Sequence, residues 1–412
     1  MEIPEPFRSS KEYDNLGFIG AGANGYCFLL FKKDEKRFCI LKVAEGNKLM
    51  KEGRNMSEIS IPYIAKSYDY SKDKDCEESW VLIDYIPGVE LNEIIPSDGV
   101  SEIKPLYFFK IAISAANTLS KLHEKNVIHR DIKPENIIID GDFNPHIIDL
   151  GDLGETEKNM TIRITGDIHG TIPFCAPEVF FLTPDLKSDV FSLGATMFQM
   201  VTTEYPFSDL YLSKEGVQRY KEIIENNPEL NDMVVIKNHI RALEGFVERF
   251  ERSRNEEERE DIFYNKICDC AGKLISELVR NGCVDDRFKE GELYDKLSER
   301  NKEIMDLVYE CFTYDPEVRP SAKDVANKLL EIAKTHLEED EYNNLEEYID
   351  EIDSADIETY GTVQNVQKAV KSHLDARSKS ITKAASRCIT GYQKSSESDF
   401  QKVFKPLTII RK

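Results

Sequence analysis

The sequence lacks any apolar run of about eighteen residues, the length that a membrane-spanning helix needs. Its opening stretch, MEIPEPFRSS, also lacks the apolar core of a secretion signal. A C-x-x-C motif is missing too, since the nine cysteines are scattered and the one close pair is Cys268-x-Cys270. In a chain of this size, that pattern favours reduced thiols and a cytoplasmic location, with the nucleus as the alternative. We expect no transmembrane segment.

Basic residues are in the minority. The chain has 54 Lys and Arg against 76 Asp and Glu, which gives a net charge of −22. Such a charge excludes unspecific binding to nucleic acid, whose phosphates would be repelled. It is compatible with basic peptides and with phosphate ligands that are bridged by a cation. A length of 412 residues predicts two or three domains.

The pattern of apolar residues changes along the chain. Residues 12–86 predict short strands with one helix in KLMKEGRNMSEI, and the strands include NLGFIGAGANGYCFLLF, RFCILKV and WVLIDYIPG. From Lys104 onward helices dominate, with the short strands NIIID and HIID between them. Residues 338–358 contain no basic residue, whereas 366–412 carry eleven Lys and Arg against three acids.

The candidate phosphate site begins with a glycine loop. Gly20, Gly22 and Gly25 lie between two predicted strands, where backbone N–H groups can approach phosphate oxygens without interference from a Cβ atom. A plain hairpin turn is the equally simple alternative. Lys42 ends the next strand, and Glu52 on the following helix could pair with it and hold its ammonium against a polyphosphate.

A second group of polar residues lies in IHRDIKPENIII. There Asp131 could accept a hydroxyl proton, Lys133 could neutralise a phosphoryl group in transfer, and Asn136 could bind a cation. The following stretch, HIIDLGDLGE, writes D-L-G twice, at Asp149 and Asp152. A carboxylate directly after a β-branched apolar run is a candidate metal ligand.

Taken together, these motifs resemble the eukaryotic-type protein kinase family, in family order from about residue 12 to 335. HRDIKPEN resembles its catalytic loop, GTIPFCAPE (170–178) the end of its activation segment, and DPEVRPSA (315–322) its late arginine motif. The resemblance implies an α+β, bilobal fold with a small β-rich N-lobe and a larger helical C-lobe that carries a helical insertion. It also implies that Arg319 pairs with Glu178 and that Asp189 braces the catalytic loop.

The implied activity is transfer of the γ-phosphoryl of ATP, with Mg²⁺, to a protein hydroxyl. Lysine at 133 and the Gly170–Thr171 pair resemble the serine/threonine branch. The catalytic residues would be Asp131, Lys133, Lys42 and Glu52. Asp149, thirteen residues after Asn136, matches the metal aspartate of the family, so Asn136 and Asp149 would hold the metal and Asp152 would be a bystander. The resemblance places the following residues around ATP: Ile19, Gly20, Gly22, Gly25, Cys27, Ile40, Lys42, Ile83, Asp84, Ile86, Glu90 and Ile138.

Some positions depart from the family pattern or suggest regulation. Cys27 and Ile40 replace the usual valine and alanine, so the adenine pocket would be tighter. Asp167 stands where a regulatory phosphate is common and would face Arg130. A plain surface acid is the alternative for Asp167. Thr165 and Thr171 complete the candidate regulatory residues.

The predicted domains are an N-lobe at 1–86, a C-lobe at 87–336 with an insertion at about 208–300, an acidic segment at 337–358 and a basic tail at 359–412. The tail could form an amphipathic helix that contacts a membrane surface, a partner or the kinase body. The expected partner is a protein substrate, with basic motifs favoured by the overall charge and by Glu90 and Glu135. A pseudokinase scaffold and a small-molecule kinase of related fold are the alternative functions.

Overall fold

The structure is a computed structural model of the whole chain. It describes residues 3–5, 7–22, 25–72, 77–96, 102–140, 142–150, 154–155, 174–181, 184–204, 206, 214–225, 233–254, 262, 266, 270–271, 273–274, 277 and 292–354. The chain divides into two compact units. The first comprises Met1–Thr118, Pro134–Leu153 and Glu338–Lys412, and the second comprises Leu119–Lys133 and Gly154–Leu337.

The first unit is built on an antiparallel five-stranded sheet in the order β1-β2-β3-β5-β4. Its strands are β1 (Tyr13–Gly22), β2 (Gly25–Lys32), β3 (Arg37–Glu45), β4 (Ser67–Tyr70) and β5 (Glu78–Asp84). Helix α1 (Lys48–Glu58) connects β3 to β4. All but β4 correspond to strands predicted from the sequence.

Alternation along β3 separates the two faces of this sheet. Cys39, Leu41 and Val43 join an apolar cluster with residues of β2 and β5 on one face. Ala44 joins Leu49 of α1 on the other face. Lys42 therefore points to the side of the sheet where α1 lies.

A second, three-stranded sheet in this unit has the order β6-β8-β9. It consists of β6 (Gly88–Glu90), β8 (Ile137–Asp140) and β9 (Pro145–Ile147), with α2 (Leu91–Ile94) after β6 and a 3₁₀ turn at Pro134–Asn136 before β8. The loop after α1 is fastened to β9, because the Ile147 N–H donates to the Tyr63 carbonyl at 2.8 Å and the Ala65 N–H to the Ile147 carbonyl at 3.1 Å.

Most of the remaining described residues are helical. The helices are α3 (Pro105–His123), α4 (Leu186–Thr202), α5 (Lys214–Glu225), α6 (Val234–Arg252), α7 (Glu292–Asp295), α8 (Glu299–Cys311), α9 (Ala322–His336) and α10 (Glu339–Ser354). A short ladder pairs β7 (Val127–Ile128) with β10 (Gly154–Glu155), and a 3₁₀ turn spans Pro177–Phe181. The predicted α+β class is confirmed.

Helix α4 is the apolar centre of the second unit, as its sequence predicts. An Asp185–Ser188 capping box begins it, and it is buried from Ser188 to its end. The ring of Phe191 lies 4.8 Å from that of Phe312. Gly194 allows α8 to approach closely, since a Cβ atom there would lie 2.6 Å from the Cβ of Cys311.

The described part of 208–300 includes α5, α6 and α7, in agreement with the predicted helical insertion. None of the described helices is both long and apolar enough to cross a membrane. The acidic segment 337–358 contains α10, a helix that the sequence did not lead us to predict. The predicted basic tail 359–412 lies outside the described residues, and the predicted domain bounds stay a prediction.

Candidate active site

The first unit places one buried lysine between two carboxylates. Lys42 Nζ lies 3.0 Å from Oε1 and 3.1 Å from Oε2 of Glu52, and 2.9 Å from Oδ1 of Asp149. Strand β3 supplies the lysine and α1 the glutamate, and both residues are less than a tenth exposed. The pairing of Lys42 with Glu52 that the sequence predicts is thus formed.

Burial and charge act in opposite directions on Lys42. Removal from water alone would lower the pKa of its ammonium. The carboxylates of Glu52 and Asp149 outweigh this effect, so the pKa of Lys42 is raised above its usual value. Lys42 is therefore a fixed positive charge at every physiological pH, which suits a residue that binds polyphosphate.

The hairpin of β8 and β9 sets the position of Asp149. Ile137 pairs with Ile147, and the Ile148 N–H donates to the Asn136 carbonyl at 2.9 Å. The hairpin thus places Asn136 next to the residue before Asp149. This is the physical reason why Asn136 and Asp149 lie close together although thirteen positions separate them in the sequence. Asp149 adopts a left-handed backbone with φ of 62°, an unusual conformation for a residue other than glycine.

These two residues match the chemistry of a magnesium site. One carboxylate and one amide oxygen are hard ligands, and Mg²⁺ keeps waters and substrate phosphates as its remaining ligands. Among the described residues no cluster of three or more His, Cys, Asp or Glu side chains is placed to bind a metal. The amide of Asn136 and the carboxylate of Asp149 therefore fit Mg²⁺, which needs few protein ligands.

The glycine loop is the turn between β1 and β2, where Gly22 pairs with Gly25. Gly25 has φ of 122°, and a Cβ atom there would lie 2.1 Å from the Val43 carbonyl oxygen, so only glycine fits. A Cβ atom at Gly20 would meet nothing within 4 Å. The loop tip at residues 23–24, including Asn24, lies outside the described residues.

The predicted adenine-pocket residues lie on neighbouring strands. Cys27 pairs with Lys42 between β2 and β3, and Ile40 pairs with Ile83 between β3 and β5. Ile19 and Ile40 pack against the same apolar cluster of Leu29, Phe31 and Phe38.

The remaining residues predicted to contact ATP lie at the end of β5 and in the second sheet. Glu90 and Ile138 are partners in the ladder of β6 and β8, and Ile86 is buried. Asp84 ends β5, and its N–H donates to the Lys66 carbonyl at 3.0 Å. Any contact of the Asp84 backbone with a base would therefore come through its carbonyl oxygen.

The second unit holds the other part of the predicted site. Lys133 Nζ lies 2.7 Å from Oδ2 of Asp131, so the proposed base and the proposed phosphoryl ligand are paired. The Asp131 N–H donates to Nδ1 of His129 at 3.3 Å. Arg130 adopts a left-handed backbone with φ of 73°, which marks a tightly constrained loop.

Asp189 at the beginning of α4 fixes this loop. Its two carboxylate oxygens accept the His129 and Arg130 N–H groups at 2.8 Å each, and Nε2 of His123 lies 2.9 Å from Oδ2. Burial would raise the pKa of Asp189, but the hydrogen bond and charge of His123 outweigh it, so the pKa lies below its usual value. Asp189 thus makes the contacts with the catalytic loop that the resemblance implies. His123 was missed by sequence reasoning, where it was only one histidine at the end of a helix.

Arg319 and Glu178 form a buried bidentate pair, as predicted. Nη1 lies 2.7 Å from Oε1, and Nη2 lies 3.2 Å from Oε2. The same guanidinium donates to the carbonyls of Thr313 and Lys187, which leaves Arg319 only 1% exposed. Such planar, multiple donation is possible for arginine and not for lysine.

Five residues singled out from the sequence lie outside the described residues. They are the candidate regulatory residues Thr165, Asp167 and Thr171, the adjacent Gly170, and the second D-L-G aspartate, Asp152. The structure therefore brings Lys42, Glu52 and Asp149 together in the first unit and bonds Asn136 to the residue before Asp149. It brings Asp131 and Lys133 together in the second unit.

Comparison with known proteins gives a consistent picture. The family model described as "Protein kinase domain" matches residues 13–330, more than three quarters of the chain. The serine/threonine-protein kinase PrkC of Bacillus subtilis is 27% identical over 210 residues, which cover 48% of this chain and 32% of that protein. An Aurora kinase of Saccharomyces cerevisiae is 29% identical over 211 residues, covering 46% of this chain and 53% of the relative.

A leucine-rich repeat receptor-like protein kinase of Arabidopsis thaliana matches over a longer stretch, 338 residues at 25% identity, covering 78% of this chain and 26% of the relative. The matched stretches represent about a third of the length of the two first curated relatives, at 32% and 35%. The likeness therefore concerns a domain that these proteins share.

Proposed function

This chain belongs to the protein kinase family, and on that premise we propose that it is an ATP- and Mg²⁺-dependent serine/threonine kinase that phosphorylates protein hydroxyls. The observation that carries the proposal is the triad of Lys42, Glu52 and Asp149 within 3.1 Å. In protein kinases a lysine–glutamate pair and a metal aspartate must both be in place for phosphoryl transfer.

Each residue has a separate task in the proposed mechanism. Lys42, oriented by Glu52, would bind the inner phosphates of ATP. Asn136 and Asp149 would hold Mg²⁺, which when bound neutralises charge on the phosphates. Asp131 would orient the acceptor hydroxyl and take its proton, and Lys133 would stabilise the charge of the transferring phosphoryl group.

The choice of serine and threonine rests on two supports. Lys133 and the Gly170–Thr171 pair resemble the serine/threonine branch. The Bacillus subtilis relative is named a serine/threonine-protein kinase.

Substrate and location are also part of the proposal. The net charge of −22 and the acids Glu90 and Glu135 favour substrates with basic residues near the acceptor. The basic tail would contact a membrane surface, a partner or the kinase body. Free thiols at Cys27, Cys39 and Cys311 fit a reducing compartment, and we place the protein in the cytoplasm or the nucleus.

The decisive experiment measures Mg-ATP turnover on generic basic peptides. Wild type should transfer phosphate, whereas Asp131→Asn and Asp149→Asn should each lose about 10²–10³-fold, in line with the loss of one electrostatic contact at a transition state. Asp152→Asn is the matched control and should act like wild type. Removal of Mg²⁺ with EDTA should stop the reaction.

Two results would contradict the proposal in different ways. If wild type gives no signal above Asp131→Asn, the chain is a pseudokinase scaffold. If Asp152→Asn is inactive while Asp149→Asn is active, the metal ligand is the second aspartate and the register is wrong by three.

A further inference from the structure

A polar cluster lies at the end of β5, behind the segment proposed to bind the base. The guanidinium of Arg37 in β3 lies 3.7 Å from the ring centroid of Tyr68 in β4. The Tyr68 hydroxyl donates a hydrogen bond to Oδ1 of Asp84. The other carboxylate oxygen, Oδ2, accepts the Lys66 N–H at 2.9 Å, and the Asp84 N–H donates to the Lys66 carbonyl.

A β-bulge makes this arrangement possible. In the ladder of β4 and β5, Ser67 pairs with Ile83 but Asp69 pairs with Leu82, so Tyr68 is the extra residue. A bulge of this kind turns a side chain away from its regular direction. Here the turned side chain is the one that reaches the carboxylate of Asp84.

Burial of this cluster costs free energy, because it removes charged groups from water. Arg37 is 4% exposed and Asp84 is 8% exposed, and buried charged groups must be hydrogen-bonded or paired to be tolerated. Burial, together with the hydrogen bond to Asp84, raises the pKa of the Tyr68 hydroxyl. Tyr68 therefore remains a neutral donor, and Asp84 is held at its N–H and at both carboxylate oxygens.

We propose that Arg37 and Tyr68 are positioning residues that clamp Asp84, fix its main-chain carbonyl, and thereby set the preference of the site for adenine over guanine. The inference rests on the proposed function and on the resemblance, which places Asp84 and Ile86 around ATP, and it takes the Asp84 main chain as the part that meets the base. Arg37 and Tyr68 do not contact the nucleotide themselves, because both act through Asp84.

The selectivity follows from base chemistry. Adenine carries an amino group at position 6, which a fixed carbonyl oxygen can accept. Guanine carries a carbonyl at the same position, which the fixed oxygen repels. A rigid carbonyl discriminates well because the wrong base leaves two acceptors facing each other without a proton. A carbonyl that can rotate away loses this discrimination.

The test removes one hydroxyl. Tyr68→Phe keeps the ring beneath Arg37 and deletes only the donor to Asp84. Tyr70→Phe is the matched control on the same strand, since its ring packs against the cluster of Ala44, Leu49 and Val81. The full-length proteins are compared by calorimetric titration with Mg-ATP and Mg-GTP, by KM and kcat for ATP, and by melting temperature.

We expect Tyr68→Phe to weaken Mg-ATP binding by about threefold to tenfold, a loss within the net contribution of one typical protein hydrogen bond, because the hydroxyl acts on the nucleotide only through Asp84. KM for ATP should rise in parallel while kcat changes little, and binding of Mg-GTP should be unchanged or tighter. Tyr70→Phe should resemble wild type in every measurement.

Two outcomes would overturn the inference. Tyr68→Phe could keep the ATP-to-GTP ratio of wild type, or it could weaken both nucleotides equally with a lower melting temperature, which would mean a structural role. A wild-type protein that binds neither nucleotide would instead refute the proposed function and the inference with it.

Discussion

At Lys42, two carboxylates compete with burial for control of the charge. The side chain of Lys42 is 10% exposed, and that of Glu52 is 3% exposed. Neither charge could remain in that environment without the other, because an uncompensated buried ion is strongly destabilising. The triad is thus a stability element of the first unit as well as a candidate catalytic group.

Replacement of Lys42 by methionine tests both roles at once. Lys42→Met keeps the volume but leaves Glu52 buried without its partner, so we expect the free energy of unfolding to fall by about 3–5 kcal/mol. Phosphoryl transfer should be lost in the same variant. Urea unfolding at neutral pH and peptide phosphorylation measure the two effects.

The matched control is the double variant Lys42→Met with Glu52→Gln. A neutral amide removes the unpaired charge, so most of the lost stability should return while activity stays absent. A double variant as unstable as Lys42→Met alone would show that Glu52 does not carry the cost.

At the scale of elements, Asp189 connects the beginning of α4 to the loop that carries Asp131. Burial would raise its pKa, but the hydrogen bond and charge of His123, with the charge and N–H group of His129, outweigh that effect and hold the pKa below the usual value of 3.8. A lowered folded-state pKa means that the ionised form stabilises the fold. That stabilisation is complete above the unfolded-state pKa and is lost as the pH falls through the folded-state value.

Asp189→Asn should therefore show a pH-dependent stability difference from wild type. At pH 7 the variant should be less stable, by about 1.5–3 kcal/mol for hydrogen bonds to a charged group. The difference should shrink as the pH falls below 3.8, the usual value. Urea unfolding of both proteins across this range is the measurement, and a difference independent of pH would contradict the assignment.

Much of the element order could be predicted because it rests on local patterns. The compact run of β-branched and aromatic residues in RFCILKV predicted β3, and the order of motifs predicted the pairs of Lys42 with Glu52 and of Arg319 with Glu178. Strand β4 was missed because SYDY is only four residues long and mostly polar. Two contacts could not be predicted because no local pattern reveals them. Tyr68, the residue of the bulge, bonds to Asp84, which is 16 positions away, and His123 contacts Asp189, which is 66 positions away.

At the scale of the whole molecule, charge is unevenly distributed along the sequence. The acidic segment forms α10, which lies beyond the end of the family match at residue 330 and belongs to the first unit. Leu345 is fully buried, the Tyr348 hydroxyl lies 3.3 Å from the Ser114 hydroxyl, and Lys110 Nζ lies 3.6 Å from the Tyr348 ring centroid. Helix α10 is therefore packed onto α3 and is part of the folded body.

Two truncations distinguish this helix from the basic tail that follows it. A chain ending at residue 336 loses α10 and exposes the side of α3 that Tyr348 covers. Its free energy of unfolding should fall by at least about 2–3 kcal/mol, the value of one buried leucine with part of an aromatic ring. A chain ending at residue 354 keeps α10 and should be more stable in urea than the chain ending at 336 by that amount.

The same pair of chains tests the tail. The chain ending at 354 keeps every described element, so any change in its phosphoryl transfer relative to the full chain comes from the loss of residues 355–412. Higher activity would favour docking of the tail on the acidic kinase body, whereas equal or lower activity would favour a membrane surface or a separate partner. Equal stability of the two truncated chains would contradict the structural role of α10, since Leu345 and Tyr348 would then contribute nothing to the fold.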